Sequence, residues 1–268
     1  MQIQYRCIVF SRNARVAHGA PPRHRSYMLE APMFAYDDQL LAAAQPVPQS
    51  IDDAIRTMQA IDAICGDGDG LKWFNWLYLD VTRAVEARVN AGGFQDAAWM
   101  AALDVRFADL YFGALRSALS GGVAPECWQV LLERRDCTAL ARIQCALAGV
   151  NAHINHDLPI AIVRMGAAPA HGETHYADYS ALNSTLSARI DAAKTELHVR
   201  LLGDLLPPVS HLEDTVAAFS VTAAREAAWN NAEMLWALRP FPELSARMAD
   251  TLDGMTAVIG KTLLIPVA

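Results

Sequence analysis

His153 and Asp157 stand four residues apart in the segment Gly149-Val-Asn-Ala-His-Ile-Asn-His-Asp-Leu-Pro159. On an α-helix that spacing brings both side chains to one face, a turn apart. An imidazole and a carboxylate so placed can ligate zinc, iron or manganese. The same pair can act without metal, the carboxylate orienting His153 as a general base near neutral pH. His156 lies about 60° round the helix, on the flank of the pair, as a third ligand. One helical turn cannot complete a metal centre, so partners must come from elsewhere. His175 and Asp178, which share a helix start after the Gly-, Ala- and Pro-rich stretch 166–172, are the first choices. Asp80, Asp104, Asp109 and Glu233 stand in reserve. Arg142 falls on the stripe of His153 and Asp157, where it could neutralise the aspartate, and Tyr111 joins it as a catalytic candidate. The plainer alternative is a His–Asp pair that only locks the bundle. His18, His24, His171, His198 and His211 read as surface or loop residues.

Other chemistries lack their residues. No Gly-x-Ser-x-Gly elbow is present, and no cysteine lies in a nucleophile context. The five cysteines (Cys7, Cys65, Cys127, Cys137, Cys145) are odd in number and form no Cys-x-x-Cys. They suggest neither a disulfide framework nor a thiolate zinc site, and point to a reducing, cytoplasmic setting. The turn Gly66–Gly70 has neither a P-loop ending nor a calcium-loop pattern and reads as a helix–helix turn. Asp37-Asp38 and Asp52-Asp53 lack the following acid of a diphosphate-binding motif. With no Glu-x-x-His in the chain, a di-iron site is disfavoured. That leaves a mononuclear site, with hydrolysis favoured over oxygenation.

The elements that must carry these residues are helices. Ser50 caps Ile51–Cys65, and Asp52 and Asp53 suit its N-terminal dipole. Helices follow over Leu71–Val89 and, capped by Asp96, over Ala97–Leu119. Pro125 opens a short helix reaching Arg135. Thr138 is read as the cap of a long helix running into Pro159. That proline removes the amide partner of the Asn155 carbonyl, so a kink is expected to splay the His–Asp turn open. Tyr176–Leu205, Leu212–Leu238 and a last helix opened by Pro242 complete an all-α, single-domain bundle of seven to eight helices. The aromatic residues Trp73, Phe74, Trp76, Tyr78, Trp99, Phe107, Tyr111, Phe112, Trp229 and Trp236 are placed to build core, or to line a pocket for an apolar small molecule.

Composition sets the outer bounds. Of 268 residues 53% are hydrophobic and 19% charged, which excludes a disordered chain. No apolar run approaches the roughly 18 residues of a membrane span. The excess must be buried in the core or between subunits of a homo-oligomer. Residues 1–29 carry five arginines and no acid, leaving 17 basic against 29 acidic residues in the remainder. Such an acidic body argues against nucleic acid as a partner. Residues 1–33 read as a basic extension, either a targeting segment or an overextended start, and 34–268 as the helical domain.

The strings FNWLYLDVT (74–82), LDVRFADLYFGAL (103–115), GVNAHINHDLP (149–159) and, more loosely, DYSALN (178–183) resemble a bacterial domain-of-unknown-function family over about residues 50–205. Its most specific string is Asn-Ala-His-Ile-x-x-Asp-Leu-Pro. The resemblance implies a single helical domain without assigning a reaction. It marks Asn75, Asp104, Tyr111, Arg142, Asn151, His153, Asp157 and Asp178 for testing. Three functions are open: a metal-dependent enzyme, hydrolase before oxygenase; a metal-free acid/base enzyme (lyase, isomerase or cyclase) using His153 and Asp157; and a non-catalytic helical binding module.

Overall fold

The computed structural model describes residues 33–203 and 220–266, excepting the side chains of 198–203. Residues 1–32, most of the basic extension, therefore lie outside the description, as do Pro207-Pro208 and residues 212–219.

The described residues are helical, with no strand among them. In chain order the helices are α1 (Asp37–Ala44), α2 (Ile51–Ile64), α3 (Gly70–Asn90), α4 (Ala97–Leu119) and α5 (Glu126–Leu132). Then come α6 (Arg142–Ala152), a π-helical turn (His153–Asp157) and α7 (Leu158–Val163), which form one continuous rod. After a loop follow α8 (Thr174–Ala181), α9 (Asn183–Gly203), α10 (Val221–Leu238) and α11 (Pro242–Leu263). The bundle is all-α, close to the expected seven to eight helices.

Local chemistry explains most of the boundaries. The Ser50 hydroxyl accepts from the Asp53 amide, and Asp96 accepts from the Trp99 amide, so both expected caps are in place. Asp69 caps α3 through the Leu71 amide. Two expectations need correction. The long central helix starts at Arg142, not after Thr138: residues 137–141 form turns, and the Gln144 side chain accepts from the Ala141 amide. The Tyr176–Leu205 helix breaks at Leu182 into α8 and α9. Helix α1 had no expectation at all.

At Pro159 the chain accommodates the missing amide by widening one turn into a π-helix. The Leu158 N–H reaches back five residues to the His153 carbonyl, one residue more than in an α-helix. The rod runs through the middle of the bundle, and every residue from Ile143 to Ala152 is buried. Helix α3 packs along α6, α11 lies on α5 and α6, and α10 lies on α7. Gly149 permits the α3–α6 approach, since a Cβ there would fall 2.3 Å from the Phe74 ring. The π turn is itself touched by α4, α10 and α11.

Candidate functional site

The π turn gathers three polar side chains around one carboxylate. Asp157 is 1% exposed. Its Oδ2 accepts from His153 Nδ1 at 2.9 Å and from Trp128 Nε1 at 2.9 Å. Its Oδ1 accepts from His156 Nδ1 at 2.8 Å. Burial raises the carboxyl's proton affinity, but the bonds from the two histidines outweigh it and hold the pKa below the ordinary aspartate value. The histidines respond in opposite senses. Burial dominates at His153 and pulls its pKa down, so the ring is neutral and donates through Nδ1. At His156 burial also works against the charge, but Asp157, helped by Asp253, outweighs it and raises the pKa. With the proton affinity lowered at His153 and raised at His156, the two imidazoles and Asp157 satisfy one another without an arginine.

His153 is sealed. Its ring stacks on Phe107 with centroids 3.5 Å apart, and Phe74, Tyr78, Tyr111 and Trp128 present edges to it. Its Nε2 is buried without a hydrogen-bond partner, and so is the Tyr78 hydroxyl. Tyr111 is thus a wall of this box, its hydroxyl donating to Asn75 Oδ1 at 3.3 Å. Asn75 in turn donates to the Met58 carbonyl, and Asn151 to the Thr256 carbonyl, each tying two helices together.

His156 faces another way. With Nδ1 held by Asp157, its Nε2 is the nitrogen left to interact. Among the described residues, one group of candidate metal ligands converges: Cys127, His156 and Asp253, one atom from each within 4.8 Å of the others. Cys127 stands in the first turn of α5, and Asp253 comes from the side of α11 that meets it. Asp253 has a structural task as well, since its two oxygens accept from the Glu126 and Cys127 amides at 2.7 and 2.8 Å. Burial, then Asp157 and Asp253, push the Cys127 thiol well above its ordinary range, so a bound cation would have to displace its proton.

The other expected ligands do not join. His175 bonds Asp96 through Nε2 at 3.1 Å and stacks on Trp99. Asp178 accepts from the Gln95 and Asp96 amides, so both residues dock α8 on the start of α4. His153 Nδ1 and both Asp157 oxygens are already occupied by each other, Trp128 and His156. The expected His153/Asp157/His175/Asp178 centre is therefore not assembled. Arg142 lies over the Trp73 ring with its guanidinium 3.8 Å from Asp67, and Asp157 takes its bonds from other donors. Asp80 pairs with Arg189 and Asp109 with Arg116, while Glu233 accepts from His171. Asp104 is buried with one oxygen unpartnered. His171 is exposed, as expected, though both ring nitrogens meet carboxylates. His18, His24 and His211, and the side chain of His198, lie outside the described residues.

Trp128, Cys127 and Asp253 are the functional candidates that sequence reasoning missed. Cys127 was set aside for want of a motif. Asp253 lies 96 positions beyond Asp157 with no periodic link to it. A groove of about 690 Å³, whose lining includes no residue of the π turn, runs between the α1–α2 connection, the end of α3 and α4, lined by Ile51, Val89 and Val105. Among the described residues no helix is long and apolar enough to cross a membrane.

No curated protein and no solved structure matches the chain. A family model does, over residues 51–266. The chain belongs to that family, a family of unknown function (DUF5995).

Proposed function

We propose that the protein is a mononuclear metal-dependent enzyme, a hydrolase, whose ion is held by Cys127, His156 and Asp253. The observation that carries this reading is the convergence of those ligand atoms within 4.8 Å beside a histidine already oriented by Asp157. A carboxylate behind a ligating imidazole fixes its tautomer and raises its basicity, the usual outer support of a metal site. One sulfur, one nitrogen and one oxygen suit zinc, with iron and manganese as alternatives, better than magnesium or calcium. Three protein ligands leave a position for water, whose acidity a divalent cation raises toward neutrality. The apolar surroundings of the π turn favour an apolar small molecule as substrate. A thiol ligand stays reduced in a reducing compartment, so a cytoplasmic location belongs to the same proposal.

The test is metal analysis of untagged protein. About one equivalent of a transition metal per chain is expected, falling below about 0.2 in His156→Ala and in Cys127→Ser. Wild-type protein that holds less than about 0.2 equivalents, before and after incubation with zinc, ferrous iron or manganese, would overturn the reading.

A second reading has its own observation. Asp253 caps α5 with both oxygens, and His153 is walled in by five aromatic rings. That packing favours a non-catalytic helical binding module whose His–Asp cluster is structural. It also weakens the metal-free acid/base alternative, because His153 Nε2 has no route to a substrate proton. On the module reading, His156→Asn loses stability and no metal.

A further inference from the structure

Between α7 and α8 the chain runs as a strap, residues 164–173, with no helix of its own. Gly166 and Gly172 stand near its two ends, both at φ +82°, a left-handed backbone that glycine adopts without strain. The strap lies over a cleft lined by Trp99, His175 and Trp229. Its Ala168 and Pro169 close down on those rings until a cavity of only about 10 Å³ is left. That is room for one water molecule at most. Among the described residues, the hydrogen bonds that fasten the strap beyond the two helices it joins come from one side chain, His171. Its Nδ1 meets Glu233 Oε1 at 2.8 Å, and its Nε2 meets Glu226 Oε1 at 3.0 Å. The two glutamates are seven residues apart on α10, two turns along one face.

An ionised carboxylate only accepts, so both ring nitrogens must carry a proton for both contacts to be hydrogen bonds. The neutral ring has one N–H and turns a lone pair toward the other glutamate. We propose that His171 is a pH-operated latch: its imidazolium bridges Glu226 and Glu233 and holds the strap down, and loss of the proton lets the strap lift at Gly166 and Gly172 and uncover the aromatic cleft. The groups around the ring agree with this. The Tyr176 ring of α8 lies 4.4 Å from it between centroids, and the Tyr176 hydroxyl donates to Glu226 Oε2 at 2.8 Å. Trp229 Nε1 donates to Glu233 Oε1 at 3.3 Å. Glu173 adds a further carboxylate to the strap, while His175 is turned to Asp96. Among the described residues no lysine or arginine pairs with Glu226 or Glu233, so His171 is their cation. The bonds to Glu226 and Glu233 outweigh desolvation and raise the imidazole's pKa above its ordinary value. The closed strap is therefore favoured in full below about pH 6.5 and loses that advantage as pH rises through the raised value. His171 bonds none of Cys127, His156 and Asp253, so the latch stands or falls apart from the metal reading.

Elastase, which cuts after small residues, reads the latch on the full chain. Ala167, Ala168 and Ala170 lie in the strap, and cleavage there follows the lifted population. Cuts within 164–173, identified by mass spectrometry, are timed for wild type and His171→Gln side by side at pH 6 and pH 9. The ratio of the two rates at each pH cancels the pH dependence of the protease and of groups that both proteins share, Asp104 included. Position 171 is exposed, so glutamine, uncharged at either pH, leaves the core intact. His171→Gln is expected to be cut at least about fivefold faster than wild type at pH 6, and at the wild-type rate at pH 9. Glu233→Gln, which leaves one carboxylate to the ring, should fall between the two at pH 6. A ratio that is the same at pH 6 and pH 9 overturns the proposal. It is equally overturned if the first cut in wild type at pH 9 falls outside the strap, because another part of the chain then opens first.

Discussion

Asp157 and Asp104 are both buried carboxylates, and the protein treats them oppositely. Asp157 accepts three hydrogen bonds, so removing one donor should be felt directly. Trp128→Phe keeps most of the ring and deletes the Nε1 bond; a loss of about 1–3 kcal/mol is expected in urea unfolding. An unchanged midpoint would mean that His153 and His156 alone satisfy the carboxylate. Asp104 has one oxygen without a partner, and burial, with Glu86 adding to it, raises its pKa to about 7. The folded value lies above the unfolded value of roughly 3.9, so between the two the native state binds more protons. Stability is therefore present in full below about pH 4 and is lost as pH rises through about 7, by an amount on the order of 4 kcal/mol. Asp104→Asn should flatten that slope and exceed the wild type in stability at pH 8, read from urea midpoints at pH 5 and pH 8. Parallel slopes for the two proteins would exclude Asp104 as the source. The His153–Asp157 pair was legible because both residues lie on one helix with helical spacing. Trp128, Cys127 and Asp253 reach the same turn only through the packing of α5 and α11. Nothing in their local sequence announces that.

Helix boundaries were legible where a side chain makes them and obscure where packing does. Ser50 and Asp96 carry the oxygen that a first turn needs, and both helices start where those residues stand. Thr138 has the same chemistry, yet the chain turns through 137–141 before α6 begins. No glycine or proline marks the α8–α9 break at Leu182. The π turn was hidden because both kinds of helix bring His153 and Asp157 to one side. What positions the site is the closeness of α3 and α6, and two glycines test it. Gly149→Ala would put a methyl group against the Phe74 ring, with carbon atoms at 2.3 to 2.6 Å. Helix propensity favours alanine by about 1 kcal/mol, but overpacking of this kind costs about 1–3 kcal/mol or more, so a net loss is expected. Gly113→Ala, in the middle of α4, meets nothing closer than the Arg116 guanidinium at 3.5 Å. It should stabilise the protein by roughly 0.5–1 kcal/mol. Thermal melts of the two variants should therefore move in opposite directions. A stabilised Gly149→Ala would show that α3 and α6 can separate freely.

The molecule as a whole is fastened by a charge cluster that the sequence did not reveal, because its members lie far apart in the chain. Arg135 follows α5 and is 3% exposed. Its Nη2 donates to Asp37 of α1 at 2.7 Å and to Asp69 before α3 at 2.8 Å, and its Nε meets both Asp69 oxygens at 3.1 Å. Its carbonyl accepts from the Gly70 amide, and its guanidinium lies over the Phe34 ring. One side chain thereby ties the N-terminal helix, the α2–α3 turn and the end of α5 together. Asp37 lies outside the family match at 51–266, so α1 is joined to the matched region partly through this contact. Arg135→Leu would leave two buried carboxylates facing each other without a cation. Removing one partner from a buried ion pair typically costs about 3–5 kcal/mol, and the upper end is expected here. Arg135→Lys keeps the charge but loses the planar fork that serves both acids, so an intermediate loss is expected. Asp37→Asn leaves the Arg135–Asp69 pair whole, so its loss should be the smallest of the three and should report the attachment of α1. Urea unfolding of the three variants orders them. If Asp37→Asn costs as much as Arg135→Leu, the cluster does not divide this way and Asp37 is its centre.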